Sequence, residues 1–140
     1  MITDLSRFSY CIEQMANSKF IFAERKISNL LASITESENL YATMQYCLHN
    51  FDYELEFLKA KLQNEGDIEL ILPIDEKRTV AFVFCLLCQF DQKTLNIAEF
   101  MVKYFSNDVH EGYNLFCEKM LVPFENALYA IVRAIEEGNC

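Results

Sequence analysis

The sequence predicts an all-α fold: one compact bundle of five to seven helices around a buried apolar helix at about residues 76–90, closed by a long, kinked C-terminal helix. Three observations carry this prediction. Val80 to Cys88 contains no polar side chain, and a helix that is apolar all round is either a membrane span or the middle of a core. Nine residues rise only about 14 Å, whereas a bilayer needs roughly 20 residues. The 140-residue chain holds three glycines and two prolines, too few turn residues for an all-β fold. Apolar residues make up 52%, with twelve Phe and seven Tyr, which suits a packed core and argues against disorder. Residues 1–140 fit a single domain, and no repeat, low-complexity tract or long linker divides them.

The elements follow in order. Leu5, Phe8, Ile12 and Met15 recur at threes and fours, as one face of a helix does. Thr3 or Asp4 is placed to cap it, because a short side-chain oxygen accepts from the free amides of the first turn. The register slips at Asn17-Ser18 and resumes with Phe20, Ala23, Ile27, Leu30, Leu31 and Ile34. This predicts one long element, kinked or broken near Ser18. Phe20-Ile21-Phe22 would subtend about 200° of a helix, at about 100° per residue, wider than one core stripe. Either that helix is wedged between two others, or a second face packs on another subunit.

Thr35 with Glu38 has capping-box spacing, and Ser37 is an equally good cap. Leu40, Met44, Cys47 and Leu48 then point inward, and His49-Asn50 ends the helix. Asp52 caps the next helix, which is expected to bury Phe51, Leu55, Leu58 and Leu62 and to end at Gly66. Ile68, Leu70 and Leu72 alternate as in a strand, with no second strand in the chain to pair with, and an isolated strand is unstable. Segment 67–74 therefore reads as an extended linker, or as a strand that pairs only with its copy in a second subunit. Asp75 caps the central helix. Asp91 and Thr94 mark the start of the next, with Leu95, Ala98, Met101 and Val102 inside. Ser106-Asn107-Asp108 closes it and caps the last helix, about Val109 to Glu137. There Tyr113, Phe116, Met120, Phe124, Leu128, Ile131 and Ile135 keep phase across Pro123. Proline removes an amide and crowds a carbonyl, so a kink without termination is expected.

Twenty-one acidic against twelve basic residues give a net charge of −9. Ten of the acids, against Lys59 and Lys61 alone, fall between Ile34 and Glu76. Such a surface repels phosphate, which argues against nucleic acid and against anionic membranes as partners. Segment 34–76 reads first as a solvated face that maintains solubility and second as a docking surface for a basic protein partner. Asp4, Arg7 and Glu13 interrupt any apolar leader. Most of the six cysteines lie among large apolar residues, as free thiols do in a reducing cytoplasm. A cytoplasmic location is the expectation, with Cys140 alone exposed.

The motifs offer little chemistry. Cys85-Leu-Leu-Cys88 has the gap of a zinc half-site, but no second pair accompanies it, and the two read as core cysteines. His110-Glu111 lacks the second histidine of a zinc-protease helix, and there is no phosphate-binding glycine loop or nucleophile elbow. No catalytic residue, metal ligand or cofactor is assigned. His49 and Asp52 are weak candidates for a site, since a histidine at a helix end is commonly held there by the dipole alone. Tyr10, Tyr41, Tyr46, Tyr53, Tyr104, Tyr113 and Tyr129 could line a pocket, although tyrosines at helical spacing usually form the amphipathic edge of a core.

The functional expectation is a non-enzymatic, self-associating interaction module, a homodimer. The residues that carry it are Phe20, Ile21, Phe22, Leu115, Val122 and Tyr129, which give the two terminal helices apolar residues on second faces that need cover. The alternative is a small-molecule-binding or enzymatic bundle with its site near His49 and Asp52 or among the tyrosines.

Overall fold

The structure, a computed structural model, describes residues 2–64 and 67–138. Its elements are α1 (Ile2–Ala16), a 3-10 turn (Phe20–Phe22), α2 (Ala23–Thr35), α3 (Glu38–Leu48), α4 (Tyr53–Ala60), β1 (Lys61–Asn64), β2 (Asp67–Leu70), α5 (Glu76–Asp91), α6 (Ile97–Tyr104), α7 (Val109–Phe116), a π turn (Cys117–Leu121) and α8 (Val122–Glu136). The last three are continuous, so the described residues form seven helical rods and one small hairpin.

Helix α5 is the centre, packed by α2, α3, α4 and α8. Asp75 caps it, its Oδ1 accepting from the Lys77 amide at 2.8 Å. Thr79 Oγ1 donates to the Pro73 carbonyl at 2.8 Å and fixes the incoming chain. Val80, Ala81, Phe82, Val83, Leu86 and Leu87 are fully buried. Phe84, Cys85 and Cys88 are only half-buried. The helix is thus central without being enclosed on every side, because the four packing helices leave one stripe partly open.

Helices α1 and α2 are separate rods. The 3-10 turn reverses the chain, and the two run antiparallel. Arg7 meets Glu36 at 3.0 Å, Cys11 Sγ donates to the Asn29 carbonyl at 3.6 Å and Lys26 reaches Gln14 at 3.4 Å. Thr3 and Asp4 lie inside α1, which starts earlier than a cap at either would require. Asp4 instead accepts from Asn39 at 3.4 Å. Ser37 wins the competition to cap α3, accepting from the Leu40 amide at 3.1 Å. Thr35 turns back to the Leu31 carbonyl.

The expectation for α4 fails on two counts. Its inward side is Tyr53, Phe57 and Ala60, while Leu55 and Leu58 are exposed. Aromatic rings bury more area than leucine and gain from edge and stacked contacts. Phe57 lies 6.0 Å from Phe82, nearly parallel to it, and 6.1 Å from Tyr104. The helix also stops at Ala60. Residues 61–64, read as its last turn, form the partner strand that seemed missing for residues 67–70. The antiparallel register is Lys61↔Leu70, Leu62↔Glu69, Gln63↔Ile68 and Asn64↔Asp67. Two residues, Glu65-Gly66, separate the strands in sequence, a spacing suited to a tight hairpin. Gly66 itself lies outside the described residues, as does Cys140.

Helix α6 starts at Ile97, later than Asp91 or Thr94 would place it. Asn96 is its cap, accepting from the Glu99 amide at 2.9 Å, while Asp91 still belongs to α5. Val102 is exposed, and Phe100 and Met101 take the inner positions. Asp108 caps α7, accepting from His110 and Glu111 amides. The C-terminal rod passes through Pro123 without ending. Just before it the ladder widens, and the Val122 amide bonds the Cys117 carbonyl five residues back. A π turn of this kind absorbs the strain that a proline would otherwise place on the preceding turn.

Candidate functional site

The fold brings His49 and Asp52 into one cleft of about 340 Å³, at the end of α3 and the starts of α4 and α5. Asn50, in the left-handed region with φ 60°, makes the sharp turn between them. Asparagine tolerates this conformation better than most residues. Both side chains are exposed. Asp52 spends its carboxylate on the Leu55 amide at 3.1 Å, as the cap of α4. Across the cleft stand Asp75, Lys77 and Arg78. Lys77 lies 4.6 Å over the Tyr46 ring, and Arg78 is 3.9 Å from Asp75.

The tyrosines do not converge. Tyr53 and Tyr104 join an aromatic cluster with Phe57, Phe82 and Phe100. Tyr113 is buried, Tyr129 packs edge-on against Phe8 at 6.4 Å, and Tyr10, Tyr41 and Tyr46 are exposed. Cys85 and Cys88 are free thiols on the partly open stripe of α5. Burial pushes both up to about 11, with Cys88 adding to the shift of Cys85 and Asp91 to that of Cys88. A thiol held that high is protonated at neutral pH and is a poor nucleophile. Among the described residues, no cluster of three His, Cys, Asp or Glu could hold a metal ion.

The residues expected to self-associate fall into separate places. Ile21 and Phe22 are 74% and 51% exposed on the 3-10 turn. Phe20 leans instead on His110 and Tyr113. Val122 is exposed and Leu115 half-buried. Val122 lies twelve residues beyond His110, about 18 Å along the rod.

A second apolar exposure has no counterpart in the sequence reading. Leu55 and Leu58 on α4 face outward, and Ile71 and Ile74 follow the hairpin, Ile74 being fully exposed. The leucines were legible as a helical stripe. What the spacing could not give was that the aromatic side of α4 would be the one to turn inward.

The chain matches no protein-family model, no curated protein and no solved structure. Among the described residues, no helix is long and apolar enough to cross a membrane.

Proposed function

We propose that this chain is a non-enzymatic interaction module of a reducing cytoplasm, and that it works as a homodimer. The supporting observation is the pairing of large exposed apolar side chains, Ile21 beside Phe22 and Leu55 one turn from Leu58. Single exposed apolar residues are ordinary, but contiguous ones mark interaction surfaces. Symmetric pairing of identical chains is the commonest way to cover them. Sedimentation at micromolar concentration under reducing conditions tests the reading. The expected species has twice the chain mass of 16.4 kDa, and a single species at 16.4 kDa would count against it.

A further inference from the structure

Resting on that reading of self-association, we infer that the interface is the α4 face, and that its occupant is the same face of a second copy. Two clefts, of about 340 and 350 Å³, share Glu56, Lys59, Asp75 and Arg78 and so form one trough between α4, the 71–75 segment and the start of α5. Leu55, Ile71 and Ile74 line it, whereas Leu58 lines a separate cleft on another side of α4, with Tyr53, Phe57 and Leu95. Among the described residues Leu55, Ile71 and Ile74 form an apolar strip in a charged trough, the first two about half exposed and Ile74 fully so.

The charges decide the occupant. Segment 34–76 is strongly acidic in sequence, but the fold lays Lys77 and Arg78 against it. The trough is lined by three acids, Asp52, Glu56 and Asp75, and three bases, Lys59, Lys77 and Arg78. A basic partner would meet as many bases as acids here. An identical face, turned about a two-fold axis, brings its three bases to the partner's three acids and its three acids to the partner's bases, and so meets the self-complementarity of an isologous contact. The chain carries −9 overall, so two copies repel across most orientations, and a locally neutral face relieves that repulsion. The ion pairs within the trough are long, 3.8 Å for Lys59 with Glu56 and 3.9 Å for Arg78 with Asp75, so little is lost when they exchange partners.

Three variants and the unaltered chain test this by sedimentation, with circular dichroism to check folding. Leu55→Asp with Ile74→Asp changes exposed trough residues only, so helicity and melting stay near wild type while association weakens at least tenfold. Lys59→Glu with Arg78→Glu turns three acids and three bases into five and one; it dissociates the dimer at low salt, and added salt restores it. Ile21→Asp with Phe22→Asp leaves the dimer intact. A folded Leu55→Asp, Ile74→Asp variant that remains dimeric overturns the placement, as does a dimer indifferent to the charge reversal or one lost only on changing Ile21 and Phe22. In those cases self-association itself stands. A monomeric wild-type chain instead removes the reading on which the placement rests.

Discussion

The hydroxyl of Tyr113 donates to the main-chain oxygen of Met15 at 2.9 Å, across 98 positions of sequence. Met15 lies in the last turn of α1, where carbonyls lack intrahelical partners. The Ser18 amide and hydroxyl also donate to it, at 3.3 and 3.2 Å. One oxygen therefore ends α1, helps start the reversal into α2 and anchors the C-terminal rod. Tyr113→Phe keeps the ring and removes one of these donors, and is expected to lower stability by about 1 kcal/mol. Tyr113→Ala also loses a fully buried ring and is expected to lose about 3–5 kcal/mol. Urea denaturation followed by circular dichroism measures both. A Tyr113→Phe protein as stable as wild type would show that the remaining donors, the two on Ser18 and the Cys117 thiol at 3.9 Å, suffice.

Alkaline pH should weaken the fold. Burial raises Cys85, Cys88 and Cys117 from 9.0 to about 11, the Tyr113 hydroxyl partly offsetting the effect at Cys117. Burial, with Cys85 and Tyr104 adding, takes Tyr53 from 10.0 to about 12. Each group keeps its proton longer in the folded chain than in the unfolded one. The unfolded chain therefore releases protons first as pH rises. The stability these groups provide is whole below about pH 9 and is lost between about pH 9 and 12. Urea midpoints under reducing conditions should be level from these groups up to about pH 8.5 and fall by pH 10.5. A midpoint unchanged at pH 10.5 would mean that the thiols meet water in the native state.

Gly112 marks a close approach between α6 and α7. A β-carbon there would lie 3.1 Å from the Met101 carbonyl oxygen and 3.2 Å from its Cβ. These atoms belong to the backbone and its first side-chain carbon, so they cannot move aside without shifting α6. Alanine gains about 1 kcal/mol of helix propensity over glycine, against about 1–3 kcal/mol for overpacking. Gly112→Ala is expected to be destabilising overall, and Gly112→Val more so. Thermal melting ranks them, and a Gly112→Ala protein more stable than wild type would show that the two helices part easily.

What the sequence discloses depends on how local the cause is. Caps act within three residues, so Asp52 and Asp75 were readable from side-chain type and position. Ser37 was one of two candidates and Asp108 one of a cluster of three, while the starts read at Thr3 or Asp4 and at Asp91 or Thr94 are not used. The centrality of α5 was readable because no amphipathic face could be drawn over Val80 to Cys88. The orientation of α4 was not. Leu55 and Leu58 form as good a stripe as Tyr53 and Phe57, and only the distant Phe82, Phe100 and Tyr104 choose between them. The hairpin failed for a related reason. Strand pairing is a property of two segments, and residues 61–64 carry a helix-compatible composition of their own. The trough at α4 was hidden by counting charge along the chain, since Lys77 and Arg78 follow the acidic segment in sequence but face it in space.

The partly open stripe of α5 gives the sharpest test of how the core is arranged. Phe82 is fully buried and meets Tyr53 at 5.8 Å and Phe57 at 6.0 Å, whereas Phe84, two residues on, is half-buried. Phe82→Ala should cost about 3–5 kcal/mol, since the ring leaves a cavity between α4 and α5. Phe84→Ala should cost about 1–2 kcal/mol, because part of its area already meets water and the site can fill with solvent. The contrast is larger for a charge. Phe82→Asp places an unpaired carboxylate in a dry interior and is expected to abolish cooperative melting. Phe84→Asp lets its carboxylate reach solvent, and the chain should fold with a lowered melting temperature. Circular dichroism melts of the four variants decide the point. Equal losses at the two positions would mean that α5 is enclosed on every side, and that the open stripe through Phe84, Cys85 and Cys88 does not exist.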